Sequence, residues 1–350
     1  MKNNFNIQTL IRTNVAKMQS YSSARDEYND PNDTTIFLDA NENPFDTGLN
    51  RYPDPNQTAL KKVLSKLKGV PPENILLGNG SDEVLDLIFR AFCEPNRDSV
   101  ITLPPTYGMY NVLANLNAVQ VLEVPLSADF KPKVDEILAA ILNTTKIIFL
   151  CSPNNPSGNV FSEKKVERLL MQFHGLVVID EAYIDFSDNF SWLKFLDEFP
   201  NLIITQTFSK AYGMAGIRLG VCYGSTEIIS VLKKIKPPYN VNQLTQKKAL
   251  KRLKNRDKVE KEIKAIQQSR TLLLAELEKI TYVKRVFPSQ ANFFLLKVDD
   301  ATTRYKQLLT KGIIVRNRTK QKGCENMLRV TVGTAQENKE LIKQMKSLQL

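Results

Sequence analysis

The stretch from Ile203 to Tyr223, IITQTFSKAYGMAGIRLGVCY, contains two strand candidates and one reactive side chain. Apolar runs at 203–207 and 219–223 flank a loop of small residues and glycines, and this loop contains Lys210. Short, nearly continuous apolar runs are typical of strands that are covered on both faces of a sheet. The sequence therefore predicts that Lys210 follows the end of a buried strand, where doubly wound sheets bind their ligands.

The same alternation continues on the N-terminal side of this stretch. Further strand candidates lie at 100–103, 119–124, 147–151 and 177–180, and helix candidates lie at 82–93, 107–117, 132–142 and 162–173. Repeated strand–helix–strand alternation is typical of an α/β fold. We therefore predict a doubly wound, mostly parallel sheet.

The pattern changes after Pro237 and Pro238. A long charged helical stretch at 246–280 is followed by strand candidates at 292–298, 313–316 and 327–332, and by a helix candidate at 302–311. This succession predicts a smaller α+β domain. We expect a large domain over residues 46–245, and a small domain made of residues 1–45 together with residues 246–350.

The composition is that of a globular protein and excludes several classes. With 350 residues, 42% of them hydrophobic, the chain is long enough for about two domains. No apolar run approaches the roughly 18 residues of a membrane span, and the N-terminus has no apolar signal core, so we expect a cytoplasmic protein. Four cysteines without a CxxC pair indicate neither zinc nor a disulfide framework.

The histidine count and the net charge limit the chemistry further. Because His174 is the only histidine, Ser-His-Asp catalysis and multi-histidine metal sites are almost excluded, and no metal is expected. The net charge of +11 suits nucleic acid, anionic membranes or phosphorylated metabolites. No nucleic-acid-binding motif is present, so we expect no nucleic-acid or membrane partner. Salt-dependent binding of nonspecific DNA would test that alternative.

Three further segments place polar residues beside predicted element ends. GNGSDE, at 78–83, opens the helix predicted at 82–93, and its amides suit either a phosphate or a simple capping turn. SPNNPSG, at 152–158, follows a strand and could be only a turn. DEAY, at 180–183, ends another strand, where its first carboxylate either faces a ligand or caps a helix. Each of these segments alone leaves both readings open.

The loop around Lys210 is more specific. A single lysine is usually a solvated surface residue. Here small neighbours leave room for a bulky group, and Arg218 follows eight residues later. A lysine in such a site can form a Schiff base with a carbonyl cofactor.

Together these motifs resemble a known family. SPNNPSG, DEAY, TFSKAYGMAGIRLG and LRVTVGT occur in the order seen in pyridoxal-phosphate aminotransferases of the aspartate-aminotransferase fold. The resemblance runs from about Tyr21 to Gly333. YSSAR at 21–25, LDANENP at 38–44, RYPDP at 51–55 and KPPYNVN at 236–242 are similar to the histidinol-phosphate aminotransferase family.

The resemblance implies a pyridoxal-phosphate-dependent transferase fold with pyridoxal 5'-phosphate as cofactor. It also implies a reversible reaction in histidine biosynthesis, in which L-histidinol phosphate and 2-oxoglutarate give imidazole-acetol phosphate and glutamate. Two alternatives of the same fold stay open: an aromatic or broad-specificity aminotransferase, and a phosphothreonine decarboxylase.

Roles at the cofactor ring are implied by the same resemblance. Lys210 binds the cofactor covalently and, once released, moves the proton between substrate and cofactor. Asp180 pairs with the pyridine nitrogen. Tyr183 and Asn155 hydrogen-bond the phenolic oxygen of the ring, and Tyr107 stacks on the ring.

The resemblance also assigns contacts to the cofactor phosphate. Ser81 and Asp82, after Gly80, offer backbone amides, and Ser209 and Arg218 offer side chains. The domain of residues 46–245 is then the cofactor-binding domain.

The remaining implied contacts concern the substrate and a second subunit. Tyr52 reaches the cofactor phosphate of the neighbouring subunit, which makes the enzyme a homodimer with shared active sites. Arg329 binds a substrate anion, Arg316 binds the substrate phosphate with Tyr21, and Asn43 completes the substrate site. Arg318 and His174 have no implied role, and we expect Arg318 to be solvated and His174 to be structural.

Overall fold

The computed structural model describes residues 5–20 and 36–348, which form two β-sheets and the helices that cover them. The described strands are β1 (Ile75–Asn79), β2 (Ser99–Thr102), β3 (Gln120–Glu123), β4 (Thr145–Cys151), β5 (Leu176–Asp180), β6 (Leu202–Thr207), β7 (Leu219–Tyr223), β8 (Val283–Val286), β9 (Phe293–Val298), β10 (Arg316–Asn317) and β11 (Met327–Thr331).

The described α-helices are α1 (Thr13–Lys17), α2 (Thr58–Lys68), α3 (Ser81–Phe92), α4 (Met109–Leu116), α5 (Val134–Ala139), α6 (Glu163–Gln172), α7 (Thr226–Ile235), α8 (Gln243–Lys254), α9 (Arg256–Leu277), α10 (Ala301–Thr310) and α11 (Ala335–Ser347). Short 3-10 helices lie at Ile7–Thr9, Pro72–Asn74, Ile184–Phe186, Trp192–Phe195 and Ala215–Ile217.

The larger sheet has seven strands in the order β1-β7-β6-β5-β4-β2-β3. Strand β7 runs antiparallel to both of its neighbours, whereas the pairs from β6 to β3 are parallel. This arrangement confirms the predicted α/β class and the mostly parallel sheet. Because β1 and β4–β6 run in one direction, their carboxyl ends meet at the same edge, and the start of β7 lies there too.

Apolar side chains cover both faces of this sheet, as a doubly wound fold requires. Ile148 and Ile179 belong to a core on one face, whereas Phe149 and Val178 belong to a core on the other. Alternation along each strand separates the two sets. Helix α3 contributes Val84 and other buried residues to the second core. Burial of each such large side chain stabilises the fold by about 1.5–3 kcal/mol.

The smaller sheet is antiparallel, with the order β10-β11-β9-β8. Its core includes Leu296 and Leu328, which pack with Leu273 from α9 and Leu341 from α11. Its first strand pair places Arg316 opposite Arg329. This unit agrees with the predicted smaller α+β domain, whereas the boundaries at residues 45 and 245 stay a prediction.

Ile7 and Leu10 pack in the second core of the larger sheet.

The predicted helix over 246–280 is wrong as one element. The chain forms α8 and α9, which are separated at Asn255, whose φ of −98° and ψ of 45° are not helical. Charged helical periodicity continues through this single residue, so the pattern did not reveal the break. The strands β1 and β8 and the helices α1, α2, α7 and α11 were not predicted. Thr334 and Glu337 form a capping box at the start of α11.

Within residues 5–20 and 36–348, no helix is both long and apolar enough to cross a membrane.

Candidate active site

The carboxyl edge of the larger sheet encloses a cavity of about 140 Å³. Its wall is formed by Ser81, Asp82, Tyr107, Cys151, Asn155, Asp180, Ala182, Tyr183, Thr207, Ser209, Lys210, Ala215 and Arg218. The structure therefore brings together the residues that the sequence predicts around the cofactor ring and phosphate. They converge because each lies at or after the carboxyl end of a strand at this edge, or before β7, which starts there.

Lys210 lies in the turn between β6 and β7, in the wall of the cavity. Its Nζ is 5.8 Å from the centroid of the Tyr183 ring. Partial burial lowers the pKa of the Lys210 amine below its usual value, and the positive charge of Arg329 lowers it further. A lowered pKa increases the neutral fraction of the amine, which is the form that attacks a carbonyl.

Asp180 ends β5 and has only 3% of its surface exposed. Tyr110 donates its hydroxyl to Asp180 Oδ2 at 2.8 Å, and the backbone amide of Ala182 donates to Oδ1 at 3.1 Å. Burial raises the pKa of the Asp180 carboxyl, whereas these two hydrogen bonds oppose that shift. The result is a buried acid that is well suited to pair with a cationic ring nitrogen.

The turn from β1 into α3 approaches Arg218 closely. At φ 83° and ψ 165°, Gly80 adopts a conformation that is almost exclusive to glycine. A Cβ at Gly80 would lie 2.6 Å from Arg218 Nη2, and a Cβ at Gly220 would lie 2.3 Å from the amide nitrogen of Ser81. Two glycines thus keep the N-terminus of α3 open beside a guanidinium group. Free amides and positive charge at a helix start are what a phosphate needs.

Asp82 makes side-chain contacts that the sequence did not predict. Its Oδ1 accepts from the Tyr107 hydroxyl at 3.0 Å, and its Oδ2 accepts from Arg218 Nη2 at 3.3 Å. The carboxylate therefore connects the ring expected to stack on the cofactor with the arginine expected to bind its phosphate. This arrangement orients both groups.

Asn155 links the two sheets of the molecule. Arg329 Nη1 on β11 donates to Asn155 Oδ1 at 2.5 Å, and Asn155 Nδ2 contacts the Tyr183 hydroxyl at 3.4 Å. The ring of Tyr183 also meets Phe293 of β9 edge-to-face, with centroids 5.0 Å apart. Arg329, a predicted substrate residue, is therefore hydrogen-bonded to a predicted cofactor residue.

Other predicted residues lie outside the cavity wall. Tyr52 is half exposed and stacks on Tyr239 with centroids 4.5 Å apart. Asn43 is exposed, and its side chain accepts from the amide of Phe45 at 3.0 Å. Arg316 is exposed on β10, next to Arg329. Tyr21 lies outside the described residues.

The expectation that Arg318 is a solvated surface residue is wrong. Its side chain is only partly exposed, and its Nε is buried without a hydrogen-bond partner among the described residues. Burial, with Arg329 and Arg316 nearby, lowers its pKa. Arg318 follows directly after β10, and its backbone amide donates to the carbonyl of Met327 on β11 at 2.8 Å, which holds the residue against the smaller sheet.

Tyr110, Cys151 and Thr207 also belong to this site, although the sequence did not single them out. Tyr110 contacts Asp180, and the other two line the cavity. Cys151 and Thr207 end the predicted strands at 147–151 and 203–207, so strand-end position was an available signal. Tyr110 follows Tyr107 by three residues, but nothing in that spacing reveals a buried carboxylate partner.

The donors and acceptors of the cavity fit pyridoxal 5'-phosphate. An amine, a buried acid and an anion-binding helix start are the three groups that this cofactor requires for its carbonyl, its ring nitrogen and its phosphate. A side chain at Gly80 or at Gly220 would fill the space beside Arg218 and Ser81, which glycine leaves open. The site therefore accommodates the cofactor that the sequence predicts.

Comparisons with known proteins agree with this chemistry. The family "Aminotransferase class I and II" matches residues 27–345. The histidinol-phosphate aminotransferase of Flavobacterium johnsoniae is 60% identical over 347 residues, which cover 99% of each chain. The solved structure of the histidinol-phosphate aminotransferase from Clostridium acetobutylicum has a TM-score of 0.80 and 25% identity, and the match covers 86% of this chain and 91% of that chain.

A further solved structure contains the cofactor. The histidinol-phosphate aminotransferase from Sinorhizobium meliloti, in complex with pyridoxal-5'-phosphate, shares this fold with a TM-score of 0.77 at 24% identity, covering 85% of this chain and 83% of that chain. The predicted family, enzyme class and cofactor are confirmed by these matches. The chain belongs to the class I and II aminotransferases and, within them, to the histidinol-phosphate aminotransferase family.

Proposed function

We propose that this protein transfers the amino group of L-histidinol phosphate to 2-oxoglutarate, giving imidazole-acetol phosphate and glutamate in histidine biosynthesis. The observation that carries the proposal is the 60% identity, over the full length, to a relative of that name from Flavobacterium johnsoniae. The geometry supports it, because the cavity at Lys210 joins an amine, a buried acid and a phosphate-binding turn.

Pyridoxal 5'-phosphate supplies a carbonyl that accepts the amino group and a ring that withdraws electrons. The chain supplies the rest. Asp180 would hold a proton on the ring nitrogen, and Lys210 Nζ would move the proton at the reacting carbon. Asn155 and Tyr183, which contact each other, would bind the phenolic oxygen of the ring.

The phosphate anchor is formed by the start of α3 and the turn before β7. Backbone amides of Ser81 and Asp82 and the side chains of Ser209 and Arg218 would hold the cofactor phosphate. Asp82 keeps Arg218 in place through its 3.3 Å contact. These contacts would bind the cofactor even where Lys210 is replaced.

Two arginines that face each other on β10 and β11 support the proposal that the substrate is anionic. Arg316 and Arg329 are paired in register, and Arg329 reaches Asn155 at the cavity wall. A guanidinium fork binds carboxylate and phosphate oxygens equally well. The pair can therefore serve histidinol phosphate, which has a phosphate, and glutamate, which has carboxylates. Tyr21 and Asn43 complete this proposed substrate site.

The exposed segment before α2 supports a homodimer with shared active sites. Leu38, Phe45 and Leu49 have 88%, 77% and 55% of their surfaces exposed, close in sequence to the half-exposed Tyr52. Clustered exposed apolar residues indicate a protein interface. We propose that a second copy of this chain covers them and that Tyr52 reaches the phosphate site of that copy.

Product analysis tests the proposed reaction. The purified holoenzyme is mixed with L-histidinol phosphate and 2-oxoglutarate, and glutamate and imidazole-acetol phosphate are quantified. We expect equal amounts of both products, none with Lys210→Ala, and near-normal amounts with Lys264→Ala, a change of an exposed lysine on α9.

The two alternatives of the same fold give different products in parallel reactions. A phosphothreonine decarboxylase would release carbon dioxide from phosphothreonine. An aromatic aminotransferase would accept phenylalanine as amino donor in place of histidinol phosphate. If either reaction is faster than the one with histidinol phosphate, the proposed substrate is wrong.

A further inference from the structure

Tyr110 contacts Asp180, the buried acid of the cavity, and has no role of its own in the proposed reaction. Its hydroxyl donates to Asp180 Oδ2 at 2.8 Å, and its side chain has no exposed surface. The amide of Ala182 donates to the other carboxylate oxygen at 3.1 Å. Each oxygen of Asp180 therefore accepts a hydrogen bond, and Thr205, which is paired with Asp180 on β6, also acts to lower the pKa of this carboxyl.

The tyrosine ring is itself fixed by aromatic neighbours. Tyr110 stacks on Phe149 of β4, with centroids 4.9 Å apart, and meets Tyr107 edge-to-face at 5.7 Å. Offset-stacked and edge-to-face contacts are the favoured aromatic geometries. These ring contacts hold Tyr110 in the orientation in which its hydroxyl donates to Asp180.

We propose that Tyr110 is a positioning residue that keeps the Asp180 carboxylate ionised and fixed, ready to pair with the protonated ring nitrogen of the cofactor. The inference rests on the cofactor chemistry of the proposed function, since a protonated ring nitrogen requires an anion beside it. Tyr110 acts through Asp180 and is assigned no contact of its own with the substrate or the cofactor.

The physical reason is the competition between burial and hydrogen bonding. Burial raises the pKa of Asp180, whereas hydrogen bonds donated to the carboxylate lower it. A hydrogen bond to a charged group is strong enough to change a pKa by about one to two units. The other titratable groups whose charges act at this position belong to Asp82, Tyr107, Cys151, Tyr183 and Lys210.

The ionisation of Asp180 can be measured without turnover. In the full-length, cofactor-free protein, the infrared C=O band of the protonated carboxyl is followed against pH, and Asp180→Asn identifies that band. We expect Tyr110→Phe to raise the midpoint by about one to two pH units. An unchanged midpoint would overturn the proposal.

A matched control removes a hydroxyl of another buried tyrosine. Tyr223 lies in the core on the opposite face of the sheet, and its hydroxyl has no hydrogen-bond partner in the described part of the chain. Tyr223→Phe should leave the Asp180 midpoint unchanged. An equal shift in both variants would mean that the effect is not specific to Tyr110, and the proposal would fail.

Incorporation of 3-fluorotyrosine at position 110 tests the same contact with almost no change in shape. Fluorine makes the phenol a stronger donor, so the midpoint should fall. A rise, or no change, would contradict the proposal even if Tyr110→Phe does not fold.

In the holoenzyme, the absorbance of the bound cofactor should titrate differently in Tyr110→Phe than in Tyr223→Phe, and identical titrations would count against the proposal. The infrared result is independent of the substrate. A shifted midpoint in an enzyme that does not use histidinol phosphate would support Tyr110 and refute the proposed function. An unshifted midpoint in an enzyme that uses histidinol phosphate would refute the role of Tyr110 and support the proposed function.

Discussion

Adjacent residues at the end of β5 have different roles because they lie on opposite faces of the sheet. Asp180 lines the cavity, whereas Glu181 is buried on the other side and accepts from Trp192 N at 2.7 Å and Gln206 Nε2 at 2.9 Å. Side chains alternate along a strand, so two neighbouring carboxyls cannot share a site. The first acid of DEAY lines the cavity, and the second connects β5 to β6 and to the turn at Trp192.

Glu181 should make stability depend on pH. Burial raises its pKa from 4.5 to about 6. The folded protein therefore binds the extra proton between about pH 4.5 and 6, and the contribution of this group to the free energy of unfolding falls by roughly 2 kcal/mol as pH rises through that window.

Glu181→Gln removes this titration. Relative to the natural protein, the free energy of unfolding of the variant should rise by roughly 2 kcal/mol between about pH 4 and pH 7, measured by denaturant unfolding. Glu278→Gln, at an exposed position, is the control and should show no such difference. Parallel pH curves for Glu181→Gln and the natural protein would contradict this account of the group.

The two arginines of the small sheet should be distinguishable by substrate. Arg316→Ala should lower kcat/KM for histidinol phosphate by about 10- to 100-fold, because a hydrogen bond to a charged group is lost. It should affect dephosphorylated histidinol much less. Arg329→Lys keeps the charge but loses the fork, so both half-reactions should slow.

Stopped-flow half-reactions with the two amines measure this difference. Arg256→Ala, which removes an exposed ion pair on α9, is the control and should behave as the natural enzyme. Equal losses for histidinol phosphate and histidinol in Arg316→Ala would show that Arg316 does not bind the phosphate.

Among the elements, the connection from β1 through Gly80 into α3 is the most constrained part of the site. Strand β1 pairs with β7, so that Gly78 lies opposite Gly220 and Asn79 opposite Leu219. The start of α3 is thereby held against the strand that follows Arg218. Glycine is required at positions 80 and 220 because Cβ atoms there would occupy the space between these elements.

Gly80→Ala should weaken cofactor binding more than it weakens the fold. Its backbone conformation costs about 1–3 kcal/mol for alanine, and the added Cβ would displace Arg218. We expect a clear rise in the Kd for pyridoxal 5'-phosphate, measured by cofactor titration, with a lower Tm. Gly108→Ala, at φ −66° with open space around it, should change neither, and an unchanged Kd in Gly80→Ala would contradict the proposed phosphate anchor.

Much of the element order could be read from the sequence, because buried parallel strands are short apolar runs. The prediction at 219–223 matches β7, and those at 177–180 and 203–207 each differ from β5 and β6 by one residue. Strand β1 was missed because its apolar part is only Ile75 to Leu77 before a glycine. The break at Asn255 was missed because one non-helical residue does not interrupt the charged pattern.

The cofactor side of the site was predictable, and its supporting contacts were not. Lys210 and Asp180 belong to motifs at strand ends, and the sheet brings them to one edge. Tyr110 and the carboxylate contacts of Asp82 depend on how helices pack across that edge, which a linear pattern does not contain. Arg318 follows directly after β10, which covers only Arg316–Asn317 where the sequence predicts a strand at 313–316, so its partial burial could not be read from the pattern.

For the whole molecule, two sheets and a proposed second subunit each contribute part of the site. The larger sheet supplies the cofactor cavity, and the smaller sheet supplies Arg329 through Asn155. Tyr52 lies on an exposed segment and is absent from the cavity wall of its own chain. The proposed dimer gives that residue a function.

Hybrid dimers test the shared site. Tyr52→Ala and Lys210→Ala homodimers should both have little activity, whereas a mixture that exchanges subunits should recover activity, because one site of each hybrid contains both natural residues. Activity and subunit exchange are measured on the same samples. Exchange without recovery would contradict the role of Tyr52 across the interface.

The most direct measurement is a single-turnover reaction of stoichiometric holoenzyme with L-histidinol phosphate in the absence of 2-oxoglutarate. The absorbance of the bound cofactor should change completely, and one equivalent of imidazole-acetol phosphate should form per active site. Later addition of 2-oxoglutarate should restore the original spectrum and release one equivalent of glutamate. Borohydride reduction before the reaction should attach the cofactor to Lys210, as located by peptide mapping. An adduct on another lysine, or no product from histidinol phosphate, would contradict the account.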